Sequence, residues 1–186
     1  MNTFRFKQLS KSLAVATLIG VAATIAAPKA NAGSANTNLA VSAQVNANCT
    51  ISTSALAFGT YDPVVANAAT ALNGTGSVTI ACTKGSAPNV TLDNGQNYAS
   101  STRNMKNTAN ADVLAYALYQ PPNTTPGTAC TFPGSQAWGT SGAAVFTPTS
   151  PTTKAARTYN VCGTVSAGQD ISVGTYQDTV VATVNF

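Results

Sequence analysis

Apolar and polar residues alternate along much of the chain with a period of two. The clearest apolar positions of this kind are Leu39, Val41, Ala43 and Val45, then Val78 and Ile80, then Val90 and Leu92. Successive side chains of a β-strand point to opposite faces, so this pattern predicts half-buried strands and not amphipathic helices.

Further segments combine the same alternation with β-branched or aromatic residues. They are Val113 to Tyr119, Gly142 to Phe146, Arg157 to Val165 and Tyr176 to Phe186. Clusters of Gly, Pro, Asn and Ser separate them, and Thr147 to Thr153 is expected to be a surface loop. About seven or eight short strands with turns between them predict an all-β fold, an antiparallel β-sandwich.

The first 32 residues have the layout of a secretory signal. Cations precede or flank an apolar run, Leu13 to Ala27, and the triplet Ala30-Asn31-Ala32 fits an A-x-A cleavage site. The run is about 15 residues long, shorter than the ~20 that a helix needs to span a bilayer, which favours cleavage over anchoring. We therefore predict a signal peptide at 1–32, export, and a mature chain from Gly33.

Removal of the signal changes the charge. The whole chain has a net charge of +4. The ionisable residues left after cleavage are Lys84, Arg103, Lys106, Lys154 and Arg157 against Asp62, Asp93, Asp112, Asp170 and Asp178. The two signs balance without a basic cluster, so no nucleic-acid partner is expected. Arg103 and Lys106 are predicted to be solvated.

The sequence contains no His, and all of its acidic residues are Asp. Without His, no hydrolase triad and no common zinc site can be assembled. Asp62 beside Pro63 and Asp93 before Asn94-Gly95 are typical turn residues. We predict no catalytic residue, no metal site and no cofactor, so the protein is not expected to be an enzyme.

Four cysteines, Cys49, Cys82, Cys130 and Cys162, lie in the exported part. An even number of cysteines in an oxidising compartment indicates disulfides, and four cysteines allow three pairings. The order along the chain favours Cys49 with Cys82 and Cys130 with Cys162. Each bridge would close a loop of about 33 residues and stabilise the fold by roughly 3 to 4 kcal/mol.

Two aromatic positions have competing interpretations. Trp138, with Phe146 nearby in the sequence, could stack on a sugar, although a partly buried structural aromatic is the commoner case. Tyr176 with Asp178 could form a site, but a structural role like that of a tyrosine corner is favoured.

The first and last predicted strands have no partners. Tyr176 to Phe186 places Tyr176, Val180, Ala182, Val184 and Phe186 on one face, and the sequence then ends, which leaves an open edge. The alternating segment Leu39 to Val45, just before Cys49, is a strand without an assigned neighbour.

Three stretches together resemble a known family. They are Met105 to Tyr119 (MKNTANADVLAYALY), Gly174 to Phe186 with its G-x-Y-x-D signature and aromatic end, and the alternating segment before Cys49. The mature chain resembles the spore coat U type subunits of archaic chaperone-usher pili, relatives of the Csu pilus subunits.

The resemblance implies an incomplete immunoglobulin-like β-sandwich that lacks its last strand and is completed by donor-strand exchange. It implies a donor segment at 33–48, with Leu39, Val41, Ala43 and Val45 as donor residues, and a pilin domain at 49–186. Its open edge would be formed by Val180, Ala182, Val184 and Phe186. The partners implied are identical or related subunits, a periplasmic chaperone and an outer-membrane usher.

The function implied is that of a structural subunit that polymerises head to tail on the cell surface and supports attachment and biofilm formation. The alternative is a stand-alone secreted β-sandwich, a binding module or coat component, in which Leu39 to Val45 folds back to complete its own sheet.

Overall fold

The computed structural model describes residues 32–186, so all but Ala32 of the predicted signal peptide lies outside the described residues. Strands and one short 3-10 turn, Gly142–Ala144, form its regular structure. The strands are β1 (Cys49–Ser54), β2 (Leu72–Cys82), β3 (Asn89–Leu92), β4 (Arg103–Asn107), β5 (Val113–Tyr119), β6 (Arg157–Val165), β7 (Tyr176–Gln177) and β8 (Ala182–Asn185). No helix in this described part is long and apolar enough to cross a membrane.

The strands form two antiparallel sheets. Six strands pair in the order β1-β2-β6-β5-β4-β7, and β3 pairs with β8 in a second, two-stranded sheet. Apolar side chains from both sheets share one core, to which Ile80, Val90 and Val165 contribute fully buried side chains. The prediction of an all-β antiparallel sandwich is confirmed.

Two disulfides staple the larger sheet. Cys49 at the start of β1 lies directly opposite Cys82 at the end of β2, and the two are bonded. Cys130 is bonded to Cys162 of β6, which ties the long connection between β5 and β6 to the sheet. The pairing is the one favoured by the order of the cysteines along the chain.

That long connection covers the outer edge of β3 and fills the core with aromatic rings. Phe146 exchanges backbone hydrogen bonds with Val90, and the Trp138 indole N–H donates to the Val90 carbonyl at 2.9 Å. The Phe146 ring lies 5.1 Å from the Trp138 ring and 5.0 Å from that of Tyr159. Trp138 is fully buried, so it is a structural residue and offers no platform for a sugar.

The segment Gly142 to Phe146 was predicted as a strand, and this is wrong. Gly142 has a φ of 55°, and the amides of Ala144 and Val145 bond back to the carbonyls of Ser141 and Gly142. These local bonds form the 3-10 turn, and the remaining strand character is the single bridge from Phe146 to Val90. Small residues and a left-handed glycine favoured the turn over extension.

The C-terminal segment is also divided differently from the prediction. Tyr176 to Phe186 is not one strand but two, β7 in the larger sheet and β8 in the smaller one, so the chain crosses between layers near Asp178. Two other strands, β1 and the polar β4, were not predicted. Conversely, Leu39 to Val45 forms no strand in the described part of the chain.

Candidate functional site

A long groove of about 1070 Å³ opens into the core between two stretches of chain. One wall is Thr53 to Pro63, which continues from β1, and the other is Ile171 to Ala182, which includes β7. The floor consists of apolar side chains from both sheets: Val78, Leu92, Met105, Leu114, Leu118 and Val161. The hydrophobic core is therefore incomplete on this side and accessible from solvent.

The C-terminal wall presents an unpaired backbone edge. Asp93 N–H donates to the Val181 carbonyl, and the ladder continues between β3 and β8 in the same register. Backbone groups of successive strand residues point to opposite edges, so those of Val180, Ala182 and Val184 point away from β3. β8 also packs close to β1, but no ladder between them occurs among the described residues.

Of the four apolar side chains predicted for this edge, three pack against the core and the last one does not. Val180, Ala182 and Val184 are half-buried against the core, and the first two line the groove. Phe186 is 54% exposed and is part of neither the groove lining nor the core. The predicted apolar face therefore ends at Val184, because the strand ends at Asn185 and leaves the last side chain beyond the sheet.

Glycines in the larger sheet leave room for the N-terminal wall to pack closely against it. Gly74 in β2 is paired with Gly163 in β6, and a Cβ on Gly163 would lie 2.7 Å from Leu56 Cδ1 and 2.8 Å from Phe58 Cζ. A side chain there would push the wall off the sheet. Sequence reasoning missed this role, although the run Gly74-Thr75-Gly76 inside a strand was a signal for a close approach of another backbone.

Backbone groups of this wall are also unpaired. Residues 55–60 donate and accept no backbone hydrogen bonds with any other segment of the described chain. Two unpaired edges therefore face each other across an apolar floor. An extended segment inserted between them would gain main-chain hydrogen bonds on both sides and bury every second side chain.

A partly buried polar contact fixes the point where the C-terminal wall crosses between sheets. The Asp178 carboxylate accepts a 2.6 Å hydrogen bond from the Tyr116 hydroxyl and bonds from the amides of Gln96 and Asn97. Burial, and next the bond to Asp178, raises the pKa of Tyr116 well above its usual range. The tyrosine remains neutral and serves as a donor.

The predicted pair of Tyr176 and Asp178 has a structural arrangement. Tyr176 donates through its hydroxyl to the Ser172 carbonyl at 2.7 Å, four residues upstream, which is the geometry of a tyrosine corner. Asp178 bonds instead to Tyr116, a partner that the sequence did not indicate because the two are far apart in the chain. Both contacts shape the C-terminal wall.

Arg103 is a second polar residue that sequence reasoning placed wrongly. It was expected to be solvated, but its guanidinium is partly buried and donates to the carbonyls of Leu92, Asp93 and Trp138. Burial lowers the pKa of Arg103, with no carboxylate in direct contact. The guanidinium thus donates hydrogen bonds to carbonyl groups at the end of β3. A long side chain with several N–H donors is suited to this role.

The predicted donor residues are exposed. Leu39, Val41 and Val45 have exposed fractions of 86%, 87% and 80%, and Ala43 is exposed as well. Asn48, three residues after Val45, is bonded in both directions to Thr83: its N–H donates to the Thr83 hydroxyl and its carbonyl accepts the Thr83 N–H.

Among the described residues, no group of His, Cys, Asp and Glu is arranged to hold a metal ion.

The same chain matches a family model, Spore Coat Protein U domain, over residues 35–183. The chain belongs to the Spore Coat Protein U domain family. It is 37% identical over 191 residues to a curated relative, Protein U of Myxococcus xanthus, covering 93% of this chain and 97% of that protein.

A similar fold occurs in a solved structure. That structure is the pre-assembly complex of CsuC and CsuE, a chaperone and a tip adhesion subunit, from the archaic chaperone-usher Csu pili of Acinetobacter baumannii. The match has a TM-score of 0.51 and 23% identity and covers 76% of this chain but 40% of that one. At this identity the likeness shows the fold of this family member, an immunoglobulin-like sandwich.

Proposed function

We propose that this protein is a structural subunit of an archaic chaperone-usher pilus that polymerises head to tail. Each subunit would insert its N-terminal segment, residues 33–48, into the groove of the preceding subunit. The residues 49–186 would form the pilin domain, and the protein would act as a building block and not as an enzyme.

The observation that carries the proposal is the groove with its two unpaired edges. A sandwich that finished its own fold would pair the edge formed by Val180, Ala182 and Val184 and cover the apolar floor. Here a backbone edge and buried-type side chains such as Leu114 and Val161 face an opening. A strand from another molecule would supply the missing hydrogen bonds and the missing apolar side chains.

The second support is the segment Leu39 to Val45. Its alternate apolar residues are exposed, and the spacing of two is the one at which an inserted strand directs side chains to a single face. Burying each of the larger aliphatic side chains in the groove would contribute about 1.5 to 3 kcal/mol. Leu39, Val41 and Val45, with Ala43 and a ladder on each side, would hold subunits together.

The pathway proposed follows from the same chemistry. An open groove in the periplasm exposes apolar surface and unpaired edges, which promote aggregation, so a dedicated chaperone would cover it until assembly. An outer-membrane usher would then exchange the chaperone for the next subunit's donor segment. The product would be a surface fibre that supports attachment and biofilm formation.

A refolding experiment tests the groove. The mature chain carrying Val41→Arg, which cannot donate, is refolded with an excess of a synthetic peptide of residues 33–48. We expect a 1:1 complex with a cooperative thermal transition, and no such complex with a peptide that itself carries Val41→Arg. A chain that refolds equally well with either peptide would show that the groove takes no donor strand.

The second candidate function is that of a coat component or a stand-alone binding module. The description of the matching family, Spore Coat Protein U domain, supports the coat component. In that case the segment Leu39 to Val45 would complete the sheet of its own chain. The purified mature protein would be a stable monomer, and it would gain no stability from added peptide.

A further inference from the structure

The two ends of the groove differ in chemistry. At one end, where β8 packs close to β1, the walls carry small polar residues, Thr53 and Ser54 on one side and Thr179 on the other. At the opposite end, where the Gln169 N–H donates to the Tyr61 hydroxyl at 2.9 Å, the lining includes Pro63 and Val173, and beyond Pro63 the chain continues into Val64 and Val65. We call Val64, Val65 and Val173 the valine rim.

These are the most exposed large apolar side chains of the described chain from Cys49 onward. Their exposed fractions are 97% for Val173, 80% for Val64 and 77% for Val65, whereas the next, Val181, is at 55%. Scattered single apolar residues on a surface need no explanation, but three of this exposure at one end of one groove indicate a contact surface.

Both parts of the valine rim are held rigidly. The Asp62 carboxylate accepts hydrogen bonds from the amides of Val64, Val65 and Ala66. The turn is closed by Asn67, which exchanges bonds with Asp62 and is buried. A turn that is fixed before binding loses little conformational freedom on binding, so its apolar side chains are presented at low entropic cost.

The loop that carries Val173 is fixed from the other side. Ser172 N–H donates to the Asp112 carboxylate at 2.9 Å, and the Asn110 amide donates to the Ser172 hydroxyl at 2.7 Å. The groove therefore ends between two preorganised loops that direct valines into solvent.

The length of the donor connection identifies the occupant. Val45 is the last donor residue, and Asn48 is already bonded to Thr83 on the donor's own body. Three residues span at most about 10 Å, so the body of the donor subunit must lie directly against the groove end from which Val45 emerges. A free peptide would make no such contact.

We infer that the valine rim is a docking surface for the body of the donor subunit, a second copy of this chain. The inference rests on the proposed function. The rim would contact the end of the donor's sandwich that follows Asn48 and carries the Cys49–Cys82 disulfide. Val45 then lies at the rim end and Leu39 at the polar end, so the donor strand runs antiparallel to the wall Ile171 to Ala182.

The test separates the donor strand from the donor body. Three acceptors are compared, and all of them carry Val41→Arg. The first has an intact rim, and the second carries Val64→Ser, Val65→Ser and Val173→Ser. The third is a control with Phe132→Ser, which removes an exposed apolar side chain outside the groove lining. One donor is the peptide of residues 33–48. The other is a full mature chain whose own groove is filled by an extra copy of 33–48 linked after Phe186.

Dissociation rates are measured for each pair by displacement with unlabelled peptide. We expect the full-chain donor to leave the triple-serine acceptor at least tenfold faster than it leaves the intact or Phe132→Ser acceptor. The peptide should leave all three acceptors at the same rate within about twofold. Equal thermal transitions of the three peptide complexes would show that the serines leave the fold intact.

Other outcomes overturn the inference in distinguishable ways. If the full chain leaves all acceptors at one rate while the peptide binds, the rim makes no contact with the donor body and the proposed function stands. If the serines speed loss of the peptide as much as loss of the full chain, the valines support the groove itself. If the triple-serine fibres are as stable as wild type but attach less to surfaces, the rim is an adhesive surface. If no acceptor binds the peptide, the proposed function fails with it.

Discussion

Tyr116 in β5 donates a 2.6 Å hydrogen bond to Asp178, which lies between β7 and β8. Because β7 belongs to the larger sheet and β8 to the smaller one, this bond fixes the point at which the C-terminal wall of the groove changes layers. The same carboxylate accepts the amides of Gln96 and Asn97, which follow the left-handed Gly95. One side chain thus holds a turn, a strand and a groove wall together.

The first prediction follows from this contact. Asp178→Ala leaves the buried Tyr116 hydroxyl and the part-buried Asn97 amide without their acceptor, and an unsatisfied buried group costs about 1 to 3 kcal/mol, whereas the exposed Gln96 amide can bond to water. Tyr116→Phe removes one donor and leaves Asp178 with its amide partners, so it should cost about 1 kcal/mol. Thermal melts of the peptide-filled domain should rank Tyr116→Phe between wild type and Asp178→Ala. Equal melting of all three would show that the contact is dispensable.

The second prediction concerns the donor face. Val41→Arg places a charge where an apolar site is expected, and burying it without a partner would cost several kcal/mol. The matched control is Ser42→Arg, the same change one residue along, which faces away from the groove in an inserted strand. Fibre yield on cells, measured from the sheared surface fraction, should fall to near zero for Val41→Arg and stay close to wild type for Ser42→Arg.

Binding to the chaperone provides the control for the fibre-yield experiment. Both arginine variants should still be recovered from the periplasm as 1:1 chaperone complexes, because the domain that the chaperone holds is unaltered. Loss of the complex for Val41→Arg alone would mean that the segment packs within its own domain.

The third prediction moves the donor. Residues 33–48 are deleted from the N-terminus and linked after Phe186, where the high effective concentration of an intramolecular donor should let it outcompete any neighbour. We expect a monomer that needs no chaperone, melts well above the chaperone-bound subunit and forms no fibres. The antiparallel direction inferred from the valine rim adds that a turn of about four residues should suffice.

The direction of the inserted donor strand is tested with linkers of increasing length between Phe186 and the transplanted segment. A parallel insertion would need a linker that returns along the whole donor strand, about 23 Å for seven residues at ~3.3 Å each. If monomers form with long linkers alone, the direction is parallel and the rim lies at the wrong end. If no linker gives a monomer, and the unmodified chain is already a stable monomer, the pilus proposal is lost.

The fourth prediction concerns the disulfides. Replacing both Cys130 and Cys162 with Ser frees the β5 to β6 connection, which carries the buried Trp138 and Phe146, and should cost roughly 3 kcal/mol on the loop-entropy model. Replacing Cys49 and Cys82 should cost about as much and also loosen the start of β1. Denaturant unfolding of peptide-filled domains measures both, and mass spectrometry without reduction should find no peptide joining Cys49 to Cys162.

The fifth prediction is a pH dependence. Hydrogen bonds from the amides of Val65, Val64 and Ala66 lower the pKa of Asp62, and bonds from Ser172 lower that of Asp112, from an ordinary value of 3.8. A carboxyl with a lowered folded pKa stabilises the fold above 3.8, and that contribution is lost as the pH falls through the folded pKa. Melting temperatures of wild type and Asp62→Asn should therefore converge as the pH falls below 3.8 and through the lowered pKa of Asp62. A constant gap would rule out the carboxylate charge as the cause.

Local patterns determined much of this fold. Alternation placed β2, β3, β5 and β6, the last two at their observed bounds, because each lies half-buried in a sheet and its period is visible in the sequence. The order of the cysteines favoured the observed disulfides. The apolar residues Val180, Ala182 and Val184 were assigned to the correct face because that face packs on the core.

Tertiary structure decided what depends on partners distant in the sequence. The division of Tyr176 to Phe186 between two sheets, the bond from Tyr116 to Asp178 and the burial of Arg103 arise from contacts across the sandwich, and local propensity contains no information about them. The groove also depends on such contacts, since its walls come from opposite ends of the domain and one of them packs on Gly74 and Gly163. The sequence alone could show two strands without partners; the folded chain was needed to show that the gap has two open edges, an apolar floor and a valine rim at one end.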